Sequence, residues 1–141
     1  MSRAVLAFVL ALGAMGCVDN APVDAPALDA EMFLTRVQPV LAARCATPNC
    51  HGADRRRLRV YAPGLFRADP RRVHRDEPLT PEELRANQRS AEAFALETAP
   101  EDSLLVTKPL ARVPHLGGPV FVLPDDDVEA LIAWLGTGAA L

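Results

Sequence analysis

Cys45-Ala46-Thr47-Pro48-Asn49-Cys50-His51 is the stretch on which the fold and chemistry of this chain turn. Two thiols stand with four residues between them, and an imidazole follows the second directly. Pro48 and Asn49 favour a turn, Pro because its ring presets φ and Asn because its short side chain bonds nearby backbone. The spacing therefore predicts a bulge that returns Cys50 to the place where a shorter loop would put it. A plain disulfide between Cys45 and Cys50 would account for the thiols in an oxidising compartment but leaves His51 idle. A zinc site would require the adjacent Cys50 and His51 to converge on one ion, against the separated ligand pairs of structural zinc.

A covalently attached haem uses all three side chains. Each thiol adds to one vinyl group, and a histidine directly after the second cysteine is held beneath the macrocycle, where an imidazole nitrogen reaches iron. The commonest arrangement places two residues between the cysteines, and the Pro48-Asn49 turn is what would accommodate four.

Upstream, Arg3 supplies a short positive region, Ala4 to Leu12 is an unbroken apolar run, and small residues lead to Cys17. That run is too short to span a bilayer. Ala14-Met15-Gly16-Cys17 resembles the bacterial lipobox, whose cysteine is lipidated and becomes the mature N-terminus. Residues 1–16 are thus expected to be a signal peptide and Cys17 a lipid anchor. Residues 17–30, rich in Ala, Pro and Asp, are expected to be a flexible tether. The folded domain is expected over 31–141, on the periplasmic face of a bacterial membrane. Export agrees with a redox compartment suited to thiol chemistry.

From Glu31 to Arg44 the apolar residues Phe33, Val37, Val40 and Leu41 recur at offsets of four, seven and eight, the mark of one helical face. Pro39 inside it predicts a bend or a split, because it lacks a donor and clashes with the preceding turn. A long irregular central loop follows. Thr80-Pro81-Glu82-Glu83 is a helix start with a capping Thr and a Glu three residues later, and it predicts a helix to about Leu96 with Leu84, Ala91, Phe94 and Ala95 on its apolar face. Ser103 to Val106 is a short apolar segment expected beside the haem. Asp125 to Asp127 start a closing helix with Val128, Leu131, Ile132 and Leu135 on one face, ended by Gly136 and Gly138. The fold class is mostly α, with no visible repeat.

Phe33 to His51 is similar to the opening of single-haem cytochrome c domains, and the planctomycete-type cytochrome c family is the closest in pattern. The resemblance continues through Ser103-Leu104-Leu105, Lys108-Pro109 and Pro114-His115-Leu116-Gly117-Gly118, and covers roughly residues 31 to 136. It implies a cytochrome c-like helical domain around one haem c, an electron carrier in which the first and last helices cross. Met32 is the only methionine left after the expected cleavage, and it sits on the helix that delivers the haem motif, which disfavours it as a ligand from the opposite side. His74, His115, Lys108 or an open sixth position remain for the iron. The resemblance favours His115, on the loop before the last helix, with Gly117 and Gly118 letting backbone approach a flat ligand.

Fifteen basic and eighteen acidic residues give a net charge of −3, too small to draw the whole chain onto nucleic acid. Eight arginines fall at 55, 56, 57, 59, 67, 71, 72 and 75, against Asp54, Asp69 and Asp76. This local patch suits an acidic redox partner or the haem carboxylates, and equally a solvated loop face. Pro63, Pro70 and the sparse aromatics argue against nucleic acid. No distal acid or base stands out, so an electron carrier is expected rather than an enzyme. The alternatives are a disulfide-closed structural lipoprotein and a haem protein open to small ligands.

Overall fold

The computed structural model describes residues 27–95 and 99–140. The expected signal segment, Cys17 and the tether up to residue 26 lie outside the described residues. Among the described residues no helix is long and apolar enough to cross a membrane.

The fold is largely helical, with no strand among the described residues beyond an isolated antiparallel bridge between Ala62 and Phe66. The first helix, α1, occupies residues 30–44 and opens on an Asp29 cap whose carboxylate accepts the Met32 N–H at 2.8 Å. Packed structure begins slightly ahead of the expected Glu31: Leu28 is already buried, and the Asp29 carbonyl accepts the Trp134 indole N–H at 3.0 Å. A buried indole needs an acceptor, and the start of α1 supplies it.

Pro39 leaves its mark one turn earlier. Phe33–Val37 forms a π-helical turn, with the Gln38 N–H reaching back five residues to the Phe33 carbonyl, before Gln38–Arg44 resumes the α-helix. The wider turn removes the clash that the proline ring would make with a regularly placed carbonyl. Phe33, Val37, Val40 and Leu41 are all buried, as their spacing predicts.

The closing helix α4, Asp126–Gly136, runs antiparallel to α1. The start of α1 meets the end of α4 where the Asp29 N–H donates to Thr137 Oγ1 at 3.0 Å, and the end of α1 meets the start of α4 through Arg44, 3.3 Å from Asp125 and 3.4 Å from Asp127. Between these ties, the Phe33 and Trp134 rings pack with centroids 5.3 Å apart. Val128, Leu131 and Leu135 are buried as expected; Trp134 is more deeply buried than Ile132, which is only half-covered. Each such side chain stabilises the fold by about 1.5–3 kcal/mol.

The middle helix α2, Pro81–Glu92, starts on the expected Thr80 capping box but ends four residues short of Leu96. Its buried face also differs: Glu83, Asn87 and Ala91 point inward, while Leu84 is only half-buried. Polar side chains take these places because the irregular segment from 53 to 80 has few backbone partners of its own. The Glu83 carboxylate accepts from Arg67 Nε and Nη2 at 3.0 and 2.9 Å and from the N–H groups of Ala68 and Thr80, both at 2.8 Å. Asn87 accepts the Tyr61 N–H at 2.7 Å and donates to the Tyr61 carbonyl and to Gln38 of α1. Among the described residues no buried side-chain polar atom lacks a hydrogen bond. Burial alone would push the Glu83 carboxyl up, but the Arg67 bonds and the two backbone donors outweigh it and hold the group at about 2.

Candidate functional site

Between α1, α4 and the short helix α3, Leu104–Thr107, lies a cavity of about 490 Å³. Ser103 caps α3, its Oγ accepting the Leu105 N–H at 3.2 Å, and Leu104 and Leu105 line the cavity. Leu41, Leu58, Phe94 and Phe121 add apolar wall; Arg44, Arg56, Arg57 and Lys108 stand among the lining residues as the cations. A volume of this size with apolar walls and a few polar groups suits a small-molecule or cofactor site.

Cys45, Cys50, His51 and His115 all line it. The first three are placed by a loop closed on itself. Pro48 and Asn49 occupy the turn between Thr47 and Cys50, closed by the Cys50 N–H donating to the Thr47 carbonyl at 2.9 Å. The His51 N–H then donates to the Cys45 carbonyl at 3.0 Å, so the longer spacing is absorbed as a bulge and the chain resumes beside its point of departure. Gly52 is required here: a Cβ on it would run into the Ala46 carbonyl. The two thiols are unpaired and half-buried. Burial and the neighbouring Cys50 push the Cys45 thiol up to about 11, so it is protonated at neutral pH.

Each histidine is oriented by a backbone carbonyl. His51 Nδ1 lies 2.9 Å from the Leu58 oxygen, and His115 Nδ1 lies 2.8 Å from the Gly118 oxygen. A carbonyl only accepts, so Nδ1 of each ring carries a proton and Nε2 is the nitrogen left to face a ligand. Burial lowers the pKa of His51, while its bond to Leu58 pulls the other way, so the ring is neutral at neutral pH. The two rings are nearly parallel, 8° between planes, with centroids 6.1 Å apart. Two imidazoles bound to opposite sides of one metal, with about 2 Å per metal–nitrogen bond and about 1 Å from nitrogen to ring centre, would stand about 6 Å apart. The spacing of the two rings leaves room for one metal between them, and the two thiols line the same cavity.

The other candidates separate cleanly. Met32 packs against the core and does not line the cavity. His74 is exposed and away from the lining. Lys108 does line it, but its Nζ donates to the Pro114 carbonyl at 3.3 Å, beside His115. Among the described residues no three His, Cys, Asp or Glu side chains gather as an all-protein metal site would need.

The arginine patch divides into groups with different neighbours. Arg67 is fully buried on Glu83 and on the carbonyls of Glu77 and Pro78, a structural role that its place among surface arginines concealed. Arg71 pairs with Asp69, and Arg72 and Arg75 pair with Glu77. Only Arg56 and Arg57 of the eight reach the histidine cavity. The Glu83 and Asn87 bonds were also hidden in the sequence, although a helix start with Glu at its third position does signal half of the Glu83 role.

A scan of protein-family models, a search of curated proteins and a search of solved structures each found no match to this chain.

Proposed function

We propose that this chain is an exported, lipid-anchored c-type cytochrome that holds one haem through Cys45 and Cys50, with His51 and His115 as the axial pair, and carries electrons. The observation that carries this is the pair of near-parallel imidazoles 6.1 Å apart, each with Nδ1 on a backbone carbonyl, in one cavity with two unpaired thiols. A bound haem would supply the one-electron couple. This chain's own residues supply the rest. The Leu58 and Gly118 carbonyls orient each ring with Nδ1 engaged, as outer partners of metal-bound histidines do. Leu41, Leu105 and Phe121 give the site an apolar wall. Two imidazole ligands, in place of one imidazole and a methionine, favour a low potential. The cytochrome c-like arrangement of the helices belongs to the same proposal, supported by the antiparallel pairing of α1 with α4 and by the short α3 at the cavity wall. Cys17 is proposed as the lipid-bearing residue from its small-residue context alone.

The test is the visible spectrum, oxidised and reduced, of the full chain produced in a host with cytochrome c maturation, followed by haem staining of a denaturing gel. Sharp reduced bands and colour that survives denaturation are expected. A colourless protein whose mass shows only a Cys45–Cys50 disulfide would overturn the cytochrome and leave a structural lipoprotein.

A further inference from the structure

Next to the histidine cavity, between residues 56–59 and the last turn of α2, the surface is hollowed into a second concavity of about 340 Å³ lined by Arg56, Arg57, Arg59, Ala86, Arg89 and Ser90. Four of its six lining residues are arginines, and carboxylate partners are sparser than elsewhere on this surface. Arg67, Arg71, Arg72 and Arg75 each have a carboxylate within 3.4 Å or less. Around the concavity, among the described residues, the one ion pair is Arg59 with Asp54, at 3.5 Å. Arg56 donates to the Asn49 carbonyl at 2.9 Å, a neutral partner that orients it without cancelling its charge. Arg59 is steadied over the Tyr61 ring at 5.2 Å from its centre. The Arg59 N–H donates to Ser90 Oγ at 2.8 Å, which uses a lone pair of the hydroxyl and leaves its proton to donate elsewhere.

We propose that this concavity is a binding site for a compact multivalent oxyanion of the phosphate class, held by the guanidinium groups of Arg56, Arg57, Arg59 and Arg89 with the Ser90 hydroxyl. Planar guanidinium forks match phosphate oxygens two at a time, and arginine is less strongly hydrated than lysine, so desolvation opposes binding less. The donors surround a hollow of small-ligand size. An acidic protein face would need them spread over a broad surface. Arg59, Arg89 and Ser90 line this concavity and not the histidine cavity, whereas Arg56 and Arg57 line both, so the two hollows share a wall.

Calorimetric titration of pyrophosphate into the full chain as purified, at a fixed ionic strength of about 0.15 M set with sodium chloride, tests the site. Saturable binding of one pyrophosphate per chain is expected, with weaker binding of inorganic phosphate. Arg89→Gln and, separately, Arg57→Gln should each weaken pyrophosphate by about tenfold, the usual scale for losing hydrogen bonds to a charged group. Arg85→Gln, on the same helix but outside the concavity, should leave it within about twofold. Circular dichroism confirms that each variant is folded. The proposal is overturned by the absence of saturable heat, by equal weakening in all three variants, which would mean a diffuse positive field, or by unchanged affinity in both Arg89→Gln and Arg57→Gln. Binding of an oligoglutamate peptide without binding of pyrophosphate would likewise overturn it and mark a protein-docking face.

Discussion

The two loops that bring histidines to the cavity are held in different ways. The loop of His51 is closed by its own backbone, through Cys45, Thr47, Cys50 and Gly52, and is tied onward by the Val60 N–H donating to the His51 carbonyl at 2.9 Å. Behind it, Tyr61 and Ala68 are bonded to Asn87 and Glu83 of α2. The loop of His115 has the Gly118 N–H on its own carbonyl at 2.9 Å and a side-chain tie from Lys108 to Pro114, while Leu116 at its tip is fully exposed. One histidine is thus built into the fold, and the other sits on a lighter strap. On the proposed reading, His51 would be the fixed ligand and His115 the one that can be displaced.

The largest expected break is in the support behind the first loop. Glu83→Ala leaves the fully buried Arg67 charge unpaired and should cost about 3–5 kcal/mol, read as a drop in the denaturant midpoint. A midpoint within experimental error of the parent would mean that the pair does not brace the loop. The same pair sets an acid limit. Because folding lowers the Glu83 pKa from 4.5 to about 2, its stabilisation is fully present above about 4.5 and is lost as pH falls through about 2. A pH series of unfolding midpoints should show this loss across that window, and Glu83→Gln should flatten it.

Gly52→Ala comes next. Its Cβ meets the Ala46 backbone, which cannot swing aside as a side chain can, so a loss of about 3 kcal/mol is expected together with failure to retain haem. Wild-type stability in this variant would show that the thiol loop is softer than its hydrogen bonds indicate.

The ligands themselves sharpen the contrast. His51→Ala is expected to yield little stably coloured protein, whereas His115→Ala should keep covalent haem and gain carbon monoxide binding when reduced. Equal loss of colour in both would remove the distinction between a built-in and a displaceable ligand. The smallest effect belongs to Gly117→Ala. Its Cβ would stand 3.2 Å from His115 Cε1, so the exposed strap should shift slightly at a cost under about 1 kcal/mol, seen as a change in the reduced spectrum without a change in unfolding midpoint.

Much of the helical frame was legible because it follows local rules. The spacing of Phe33, Val37, Val40 and Leu41 placed the buried face of α1. The Thr80 cap and the Asp125 cap placed two helix starts, confirmed by their hydrogen bonds to the N–H groups of Glu83 and Asp127. The Pro48-Asn49 turn likewise followed from residue preference. By contrast, the inward face of α2 was read only in part: Ala91 and Ala95 are buried as expected, but Glu83 and Asn87 were missed. Hydrophobic periodicity picks apolar residues, but Glu83 and Asn87 are buried for the donors and acceptors of a segment far from them in sequence. The arginine cluster misled for the same reason: nothing near Arg67 in the chain distinguishes it from Arg71 or Arg72, and only Glu83, sixteen residues on, does so.

Of the candidate site, the sequence by itself determined the Cys45, Cys50 and His51 set, because bonding within that loop depends on neighbours only a few residues apart. It also determined where α1, α2 and α4 form, since caps and apolar spacing act over one or two turns; α3 was read only as a short apolar segment. Only the tertiary structure decided that His115 joins His51 in one cavity, that Lys108 instead holds Pro114, and that four arginines share a hollow while Arg67, Arg71, Arg72 and Arg75 pair with carboxylates. Those outcomes depend on contacts between residues tens of positions apart, set by how α1, α3 and α4 pack, and local patterns cannot encode them.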